Sequence, residues 1–350
     1  MSIDLNSLLR PHIAKLQPYT SARDEYSGKE GVFLDANENP FGSITEQDFN
    51  RYPDPYQQAL KEEIARIKGV RPTQIFLGNG SDEAIDLLYR AFCNPGKDNV
   101  ILLPPTYGMY EVSANINDVE IRKVPLTADF QLQPEKILAA ADPHSKILFI
   151  CSPNNPSANK VKREDVLRLV REFKGLVVVD EAYIDFSDEL SFTTELDNYP
   201  NLLVMQTFSK AWGLAALRLG MAFASEEIIR ILNKIKAPYN ISGLTQETVL
   251  TAIRNKDKVD QMIRDILDER EFLKAELEKL PFVQKIHPSH ANFLLVKIPH
   301  ANQVYDDLIG EKVIVRNRAK VLLCEDCLRI TVGTREENER LLNALRKVCA

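Results

Sequence analysis

No stretch of this chain approaches the roughly 18 uninterrupted apolar residues that a membrane-spanning helix needs. Met1 to Arg10 also lacks the apolar run of a signal peptide. No segment is dominated by Lys and Arg, and the net charge is −6. That balance argues against a nucleic-acid or anionic-membrane surface, although a few arginines in a cleft are invisible to the total. Cysteines number only five: Cys93, Cys151, Cys324, Cys327 and Cys349. Cys324 and Cys327 form a lone C-x-x-C, whereas a zinc site needs about four ligands. The thiols therefore read as small core residues of a reducing compartment. The five histidines show no ligand spacing, so no metal is expected. There is no internal repeat and no low-complexity linker. A cytoplasmic protein is expected.

What is present is an ordinary globular composition, 44% apolar and 27% charged over 350 residues. That length allows one large domain and a smaller one. Short β-branched runs alternate with helical patterns: Ile75–Leu77, Val100–Leu103, Glu120–Val124, Ile147–Cys151, Leu176–Val179 and Leu202–Gln206. Helices are expected from Ser81, after Thr106 and over Arg163–Phe173. The alternation predicts an α/β fold whose large domain has a mainly parallel central sheet flanked by helices. After about residue 235 a helix is expected over Lys256–Leu280. Strands follow at Asn292–Ile298, Val313–Arg316 and Leu328–Val332, with a last helix over Arg335–Val348. This reads as a smaller α+β domain. The expected division is 40–235 for the large domain, and 1–39 with 236–350 for an N-terminal arm plus the small domain.

In parallel α/β sheets, ligands bind beyond the carboxyl ends of the strands. The residues there are Gly78-Asn79-Gly80-Ser81-Asp82, Pro104-Pro105-Thr106-Tyr107, Ser152 to Pro156, Asp180 to Tyr183, and Thr207 to Lys210. Taken singly, each has a plain reading. Gly-x-Gly is a turn, and a strand-end lysine is usually a solvated end. Together they pose a chemical question. Helix-start amides at Gly80 and Ser81 make an anion pocket. Asp180 ends a buried strand, where an unpaired carboxylate is costly. A lysine in a desolvated aromatic cleft becomes a nucleophile. Arg218 offers a fork for phosphate. Pyridoxal phosphate would use them all: a lysine for its aldehyde, a carboxylate for its ring nitrogen, an aromatic over the ring and an anion pocket.

At this point the chain resembles a known family, the fold-type I aminotransferases of the aspartate aminotransferase superfamily, and within them the histidinol-phosphate branch. The resemblance rests on LDANENP (Leu34 to Pro40), RYPDPY (Arg51 to Tyr56), GNGSDEAIDLL (Gly78 to Leu88) and PPTYGMY (Pro104 to Tyr110). It continues through CSPNNP (Cys151 to Pro156), VVDEAYIDF (Val178 to Phe186), TFSKAWGLAALRLG (Thr207 to Gly220) and CLRITVGTREEN (Cys327 to Asn338). The segments occur in the family's order and span almost the whole chain.

The resemblance implies roles at matching positions. Lys210 would carry the cofactor and later shuttle the proton between the substrate α-carbon and the cofactor's C4′. Asp180 would keep the pyridine nitrogen protonated. Tyr183 and Asn155 would bond the ring's 3′ oxygen, and Tyr107 would stack on the ring. Gly80, Ser81, Asp82, Thr207, Ser209 and Arg218 would surround the cofactor phosphate. Tyr52 would reach the cofactor of a neighbouring subunit, implying a homodimer. Arg329 would bind the carboxylate of glutamate and the phosphate end of histidinol phosphate in turn, with Arg316 as a second anion-binding arginine. Tyr19 would contact the substrate phosphate, and Asn37 would line the cleft.

Plainer readings stand beside these. Tyr19 and Tyr52 could be packing residues and Arg316 one half of a structural ion pair. Arg329, alternating with Leu328 and Ile330, points to the opposite face of its strand, which fits a cleft and also solvent. Two departures from the family pattern, Ser157-Ala158 after SPNNP and Ala216 before Arg218, are small-for-small changes. The expected reaction is reversible transamination between L-histidinol phosphate or imidazole-acetol phosphate and glutamate or 2-oxoglutarate. The alternatives are an aromatic or broad-specificity aminotransferase, and a phospho-amino-acid decarboxylase acting on threonine phosphate. A catalytically silent binding protein is a further reading; the intact Lys210 and Asp180 weigh against it, as does the short chain before the NENP segment.

Overall fold

The structure, a computed structural model, describes residues 5–21 and 30–349. Seven strands make the main sheet: β1 Ile75–Asn79, β2 Asn99–Leu102, β3 Glu120–Lys123, β4 Ser145–Cys151, β5 Leu176–Asp180, β6 Leu202–Thr207 and β7 Leu219–Ala224. Their order is β1-β7-β6-β5-β4-β2-β3. The run from β6 through β5, β4 and β2 to β3 is parallel. β7 is antiparallel to both of its neighbours. A sheet covered on both faces needs strands that are apolar throughout, and β5, Leu-Val-Val-Val-Asp, is buried along its whole length. Alternate side chains feed two cores. Val177, Val179, Val204 and Phe223 join one, while Leu176, Val178, Leu203 and Ala222 join the other.

β7 has no counterpart in the sequence expectation. It follows the Lys210 loop as the return arm of a hairpin, and its apolar run sits inside a motif read for its polar residues. Gly220 on this strand meets the start of the helix Gly80–Phe92. A Cβ there would come within 2.3 Å of both Gly80 C and Ser81 N, so the close approach depends on glycine.

The second sheet is antiparallel, in the order β10-β11-β9-β8: β8 Lys285–Ile286, β9 Phe293–Lys297, β10 Arg316–Asn317 and β11 Cys327–Thr331. The helices Lys256–Glu278, Ala301–Gly310 and Arg335–Val348 cover one face through Leu273, Leu277, Val304, Leu308, Leu341 and Leu345. The last of these helices starts with a reciprocal capping box between Thr334 and Glu337. β9 joins the two sheets. Leu294 and Val296 face the helices, while Phe293 and Leu295 enter the core of the large sheet. Val249, Ile253 and Val259 belong to that same large core.

The expected strand Val313–Arg316 is corrected by the structure, because pairing is confined to Arg316 and Asn317. Lys312 has φ +59°, and Val313 N donates to Leu308 O. The β-branched residues Val313 to Val315 are therefore still leaving a helix, and local geometry overrides their strand propensity. Cys324 and Cys327 are buried free thiols. Desolvation pushes their pKa values up to about 12 and about 11.

Candidate active site

The parallel strands end along one edge of the large sheet, and β7, running the other way, begins there. In register, Cys151 lies beside Asp180 and Thr207 beside Gly220. A cavity of about 740 Å³ opens on this edge and extends to the small sheet.

One end is built around the start of the helix Gly80–Phe92. Gly80 has φ +71°, and its N donates to Arg218 O at 2.7 Å. Arg218 is itself in the left-handed region at φ 53°, which turns the chain into β7. A Cβ on Gly80 would lie 2.6 Å from Arg218 Nη2. Arg218 Nη2 is 3.5 Å from Asp82 Oδ2. Thr207 Oγ1 accepts from Ser209 N at 3.1 Å, and Ser81 Oγ donates to Gln206 O at 3.4 Å. Two further cavity-lining hydroxyls, Ser209 Oγ and Thr106 Oγ1, are buried without a partner.

Asp180 forms the floor and is 4% exposed. Tyr110 donates to its Oδ2 at 2.5 Å, and Ala182 N to its Oδ1 at 3.1 Å. Desolvation pushes the carboxyl up to about 6, and the Tyr110 hydroxyl and Ala182 amide pull against that rise. Tyr110 is fully buried, stacked on Phe149 at 4.7 Å and edge-on to Tyr107 at 5.5 Å. Tyr107 donates to Asp82 Oδ1 at 3.1 Å. Lys210 projects into the cavity with Nζ 5.7 Å from the Tyr183 ring centroid. Its pKa is lowered, first by desolvation and then by Arg329 and Arg218, against the opposing pull of Asp180 and Asp82. A lowered amine pKa raises the fraction of nucleophilic free base. Tyr183 is buried and edge-on to Phe293 at 5.1 Å.

The other end belongs to the small sheet. Leu328 and Ile330 are buried under the helices, so Arg329 between them faces the cavity. Arg329 Nη1 donates to Asn155 Oδ1 at 2.5 Å. A guanidinium only donates, so the amide oxygen of Asn155 is committed to it. Arg316 pairs directly opposite Arg329 and lines the same space.

Three expected residues do not line this cavity in the single chain. Asn37 and Tyr52 border a separate hollow of about 940 Å³ together with Tyr239, on which Tyr52 stacks at 4.5 Å. Tyr19 is 75% exposed. Two residues that the sequence reading passed over are present. Tyr110 lies three positions beyond Tyr107, close to one helical turn, and Arg318 lies two beyond Arg316, on the same strand face. Those spacings were the available signals.

Fold and cavity define a pyridoxal-phosphate-dependent transferase of fold type I. A family model described as "Aminotransferase class I and II" matches residues 30–345, and the chain belongs to that family. It is 56% identical to a histidinol-phosphate aminotransferase of Cytophaga hutchinsonii, with 99% of each chain covered. It is 54% identical to one of Bacteroides fragilis, over 98% of this chain and 99% of the other. Among solved structures, the histidinol-phosphate aminotransferase from Sinorhizobium meliloti in complex with pyridoxal-5′-phosphate superposes with a TM-score of 0.78 at 24% identity, covering 89% of both chains. Among the described residues, no helix is long and apolar enough to cross a membrane.

The cavity fits this cofactor on physical grounds. Ser209 and Thr106 leave hydroxyls buried and unpaired beside the N-terminus of the helix Gly80–Phe92 and Arg218, a donor set for a phosphate. Asp180 is a buried carboxylate that forms no ion pair among the described residues, and a protonated ring nitrogen would supply the missing cation.

Proposed function

We propose that this aminotransferase catalyses reversible amino transfer between L-histidinol phosphate and 2-oxoglutarate, giving imidazole-acetol phosphate and glutamate. The observation that carries this reading is the identity of 54–56%, over nearly the whole chain, to histidinol-phosphate aminotransferases. A cavity with cations at both ends agrees with it: Arg218 at one, and Arg316 and Arg329 at the other.

Bound pyridoxal phosphate supplies an electron-withdrawing ring that accepts the electron pair left when the bond to hydrogen beside the amino group breaks. The chain's own residues do the rest. Asp180, held between Tyr110 and Ala182, stays ionised against its burial and so keeps the ring nitrogen protonated. Lys210 would carry the cofactor and, once displaced from it by the substrate amine, its Nζ, eased toward the free base, would take the proton from the substrate carbon and pass it to the cofactor's C4′. Tyr107 packs over the ring, backed by Tyr110. Asn155, its oxygen committed to Arg329, keeps its NH₂ as a donor that would serve the ring hydroxyl, together with Tyr183. Gly80, Ser81, Asp82, Thr207, Ser209 and Arg218 surround the phosphate. Arg329 and Arg316 hold the anionic end of the substrate; Tyr19 and Asn37, outside this cavity in the single chain, would contact the substrate only in the assembled dimer.

The working unit in this reading is a homodimer. Val32, Leu34, Phe41, Ile44 and Phe49 are exposed along the segment before Tyr52, an apolar surface that a second copy would cover. Tyr52 would then reach across to the partner's cofactor. Residues 40–235 act as the cofactor-binding domain, the rest as arm and substrate domain, in the cytoplasm.

A spectral half-reaction screen tests the assignment. Histidinol phosphate, aromatic amino acids and threonine phosphate are each added to the cofactor-loaded enzyme, and loss of cofactor absorbance and product identity are recorded. Histidinol phosphate is expected to react fastest and give imidazole-acetol phosphate. Faster reaction with an unphosphorylated aromatic amino acid, or CO₂ release from threonine phosphate, overturns it.

A further inference from the structure

The substrate end of the cavity holds one more cation than the reading above uses. β10 brings Arg316 opposite Arg329. Two residues on, Arg318 N donates to Cys327 O at 2.9 Å, so the pairing reaches Arg318 before the chain turns there, with Val321 N donating to Arg318 O. In an extended chain, residues two apart share a face. Arg316, Arg318 and Arg329 therefore stand on one side of the same two strands, and all three line the cavity.

Their surroundings do not neutralise them. None of the three forms an ion pair with a carboxylate among the described residues, although most arginines elsewhere on the chain do. Arg318 Nε is buried and has no hydrogen-bond partner. Its pKa is lowered, first by desolvation and then by Arg329 and Arg316. Three like charges gathered in one wall, one with an unmet buried donor, cost stability unless an anion arrives to meet them. A single carboxylate carries one negative charge and would leave most of that cost in place. A phosphate monoester carries nearly two near neutral pH and has three acceptor oxygens.

We propose that Arg318 is a specificity-determining residue, the third guanidinium of a clamp that selects a dianionic phosphate ester over an unphosphorylated amine. The proposal rests on the reading that histidinol phosphate is the substrate, and it adds which residue sets the preference for the phosphate. Arg318 touches the phosphate end and takes no part in proton transfer. Its backbone bond to Cys327 survives any side-chain change, and its side chain makes no other hydrogen bond within the described chain, so substitution leaves the fold intact.

The test compares wild type, Arg318→Gln and Arg318→Lys on histidinol phosphate and on unphosphorylated histidinol. Loss of one charge-assisted contact predicts a rise of roughly ten- to hundred-fold in KM for histidinol phosphate in Arg318→Gln. The change for histidinol should be much smaller, and Arg318→Lys should recover part of the loss. A second readout is the pH profile. In wild type, KM for histidinol phosphate falls as the phosphate becomes dianionic through about pH 6, and Arg318→Gln flattens that fall. Calorimetric binding of histidinol phosphate to each variant reads the same contact without turnover. If wild type shows no preference for histidinol phosphate over histidinol, the substrate reading fails, and this inference with it. If wild type shows the preference and Arg318→Gln keeps both it and the pH dependence, only the role of Arg318 is overturned.

Discussion

Replacing Asp180 by Asn should stabilise the cofactor-free protein while removing its activity. Asp180 is buried, and its pKa moves from 3.8 in the open chain to about 6. A carboxyl raised in this way favours folding while it is protonated in both states. That contribution is lost as the pH climbs from about 4 to about 6, because the unfolded chain ionises more easily than the folded one. Two pKa units correspond to about 3 kcal/mol once the pH is above both values. At pH 5, between them, the cost is about half of that. Asn has the same shape. Its oxygen can accept from Ala182 N, and its amide can donate to the Tyr110 oxygen, so the hydrogen bonds persist without the charge. The expected result is a cofactor-free Asp180→Asn protein more stable by about 3 kcal/mol at pH 8, with the advantage shrinking toward pH 5. For a chain of 350 residues that is a rise of about 4 °C in Tm. With cofactor bound the order reverses, because wild type alone regains a partner for its charge. Thermal melts of both proteins, stripped and loaded, at the two pH values provide the measurement. An Asp180→Asn protein no more stable than wild type at pH 8, or an advantage independent of pH, refutes the view of Asp180 as a charge held in place for the cofactor.

Two other perturbations address the remaining architecture. Gly80→Ala forces a left-handed backbone onto a residue with a Cβ and drives it to 2.6 Å from Arg218 Nη2. Cofactor affinity should fall by at least about ten-fold, measured by equilibrium titration; unchanged affinity would remove Arg218 and this turn from the phosphate pocket. Co-expressing Lys210→Ala with Tyr52→Ala tests the shared dimer. Each homodimer should be impaired, while mixed dimers, isolated by differential tags, should recover one intact site and well over the activity of either parent. Mixed dimers as poor as the parents would place Tyr52 and Lys210 in the same subunit's site.

Much of this was readable from the chain because the strands are buried on both faces. Leu176–Val179 of β5 and Leu202–Met205 of β6 are uninterrupted apolar runs, so Asp180 and the polar residues running to Lys210 stood out after them. The segments that escaped lacked that contrast. β7 is glycine-containing and antiparallel, and no α-helix separates it from β6 to announce a new strand. The run Val313–Val315 has strand composition, but its neighbours pin it to a helix end. Tyr110 could not be seen as a partner of Asp180, because their contact spans 70 positions and depends on β4 lying between them. Arg318 needed the register of β10 against β11, and a one-residue slip would have turned it away.

That same register divides the enzyme's tasks between two pieces of chain. Lys210 and Arg218 lie in one connection, between β6 and the reversed strand β7, so in the proposed reading both ends of the cofactor would be held by a single turn of the large sheet. The guanidiniums at the far end all belong to the short hairpin of β10 and β11. A change of substrate can therefore be written in three or four positions of that second hairpin while the chemistry of the first is left alone. Diversification of such an enzyme requires no renegotiation of its catalytic core, only a rewording of the wall that faces it.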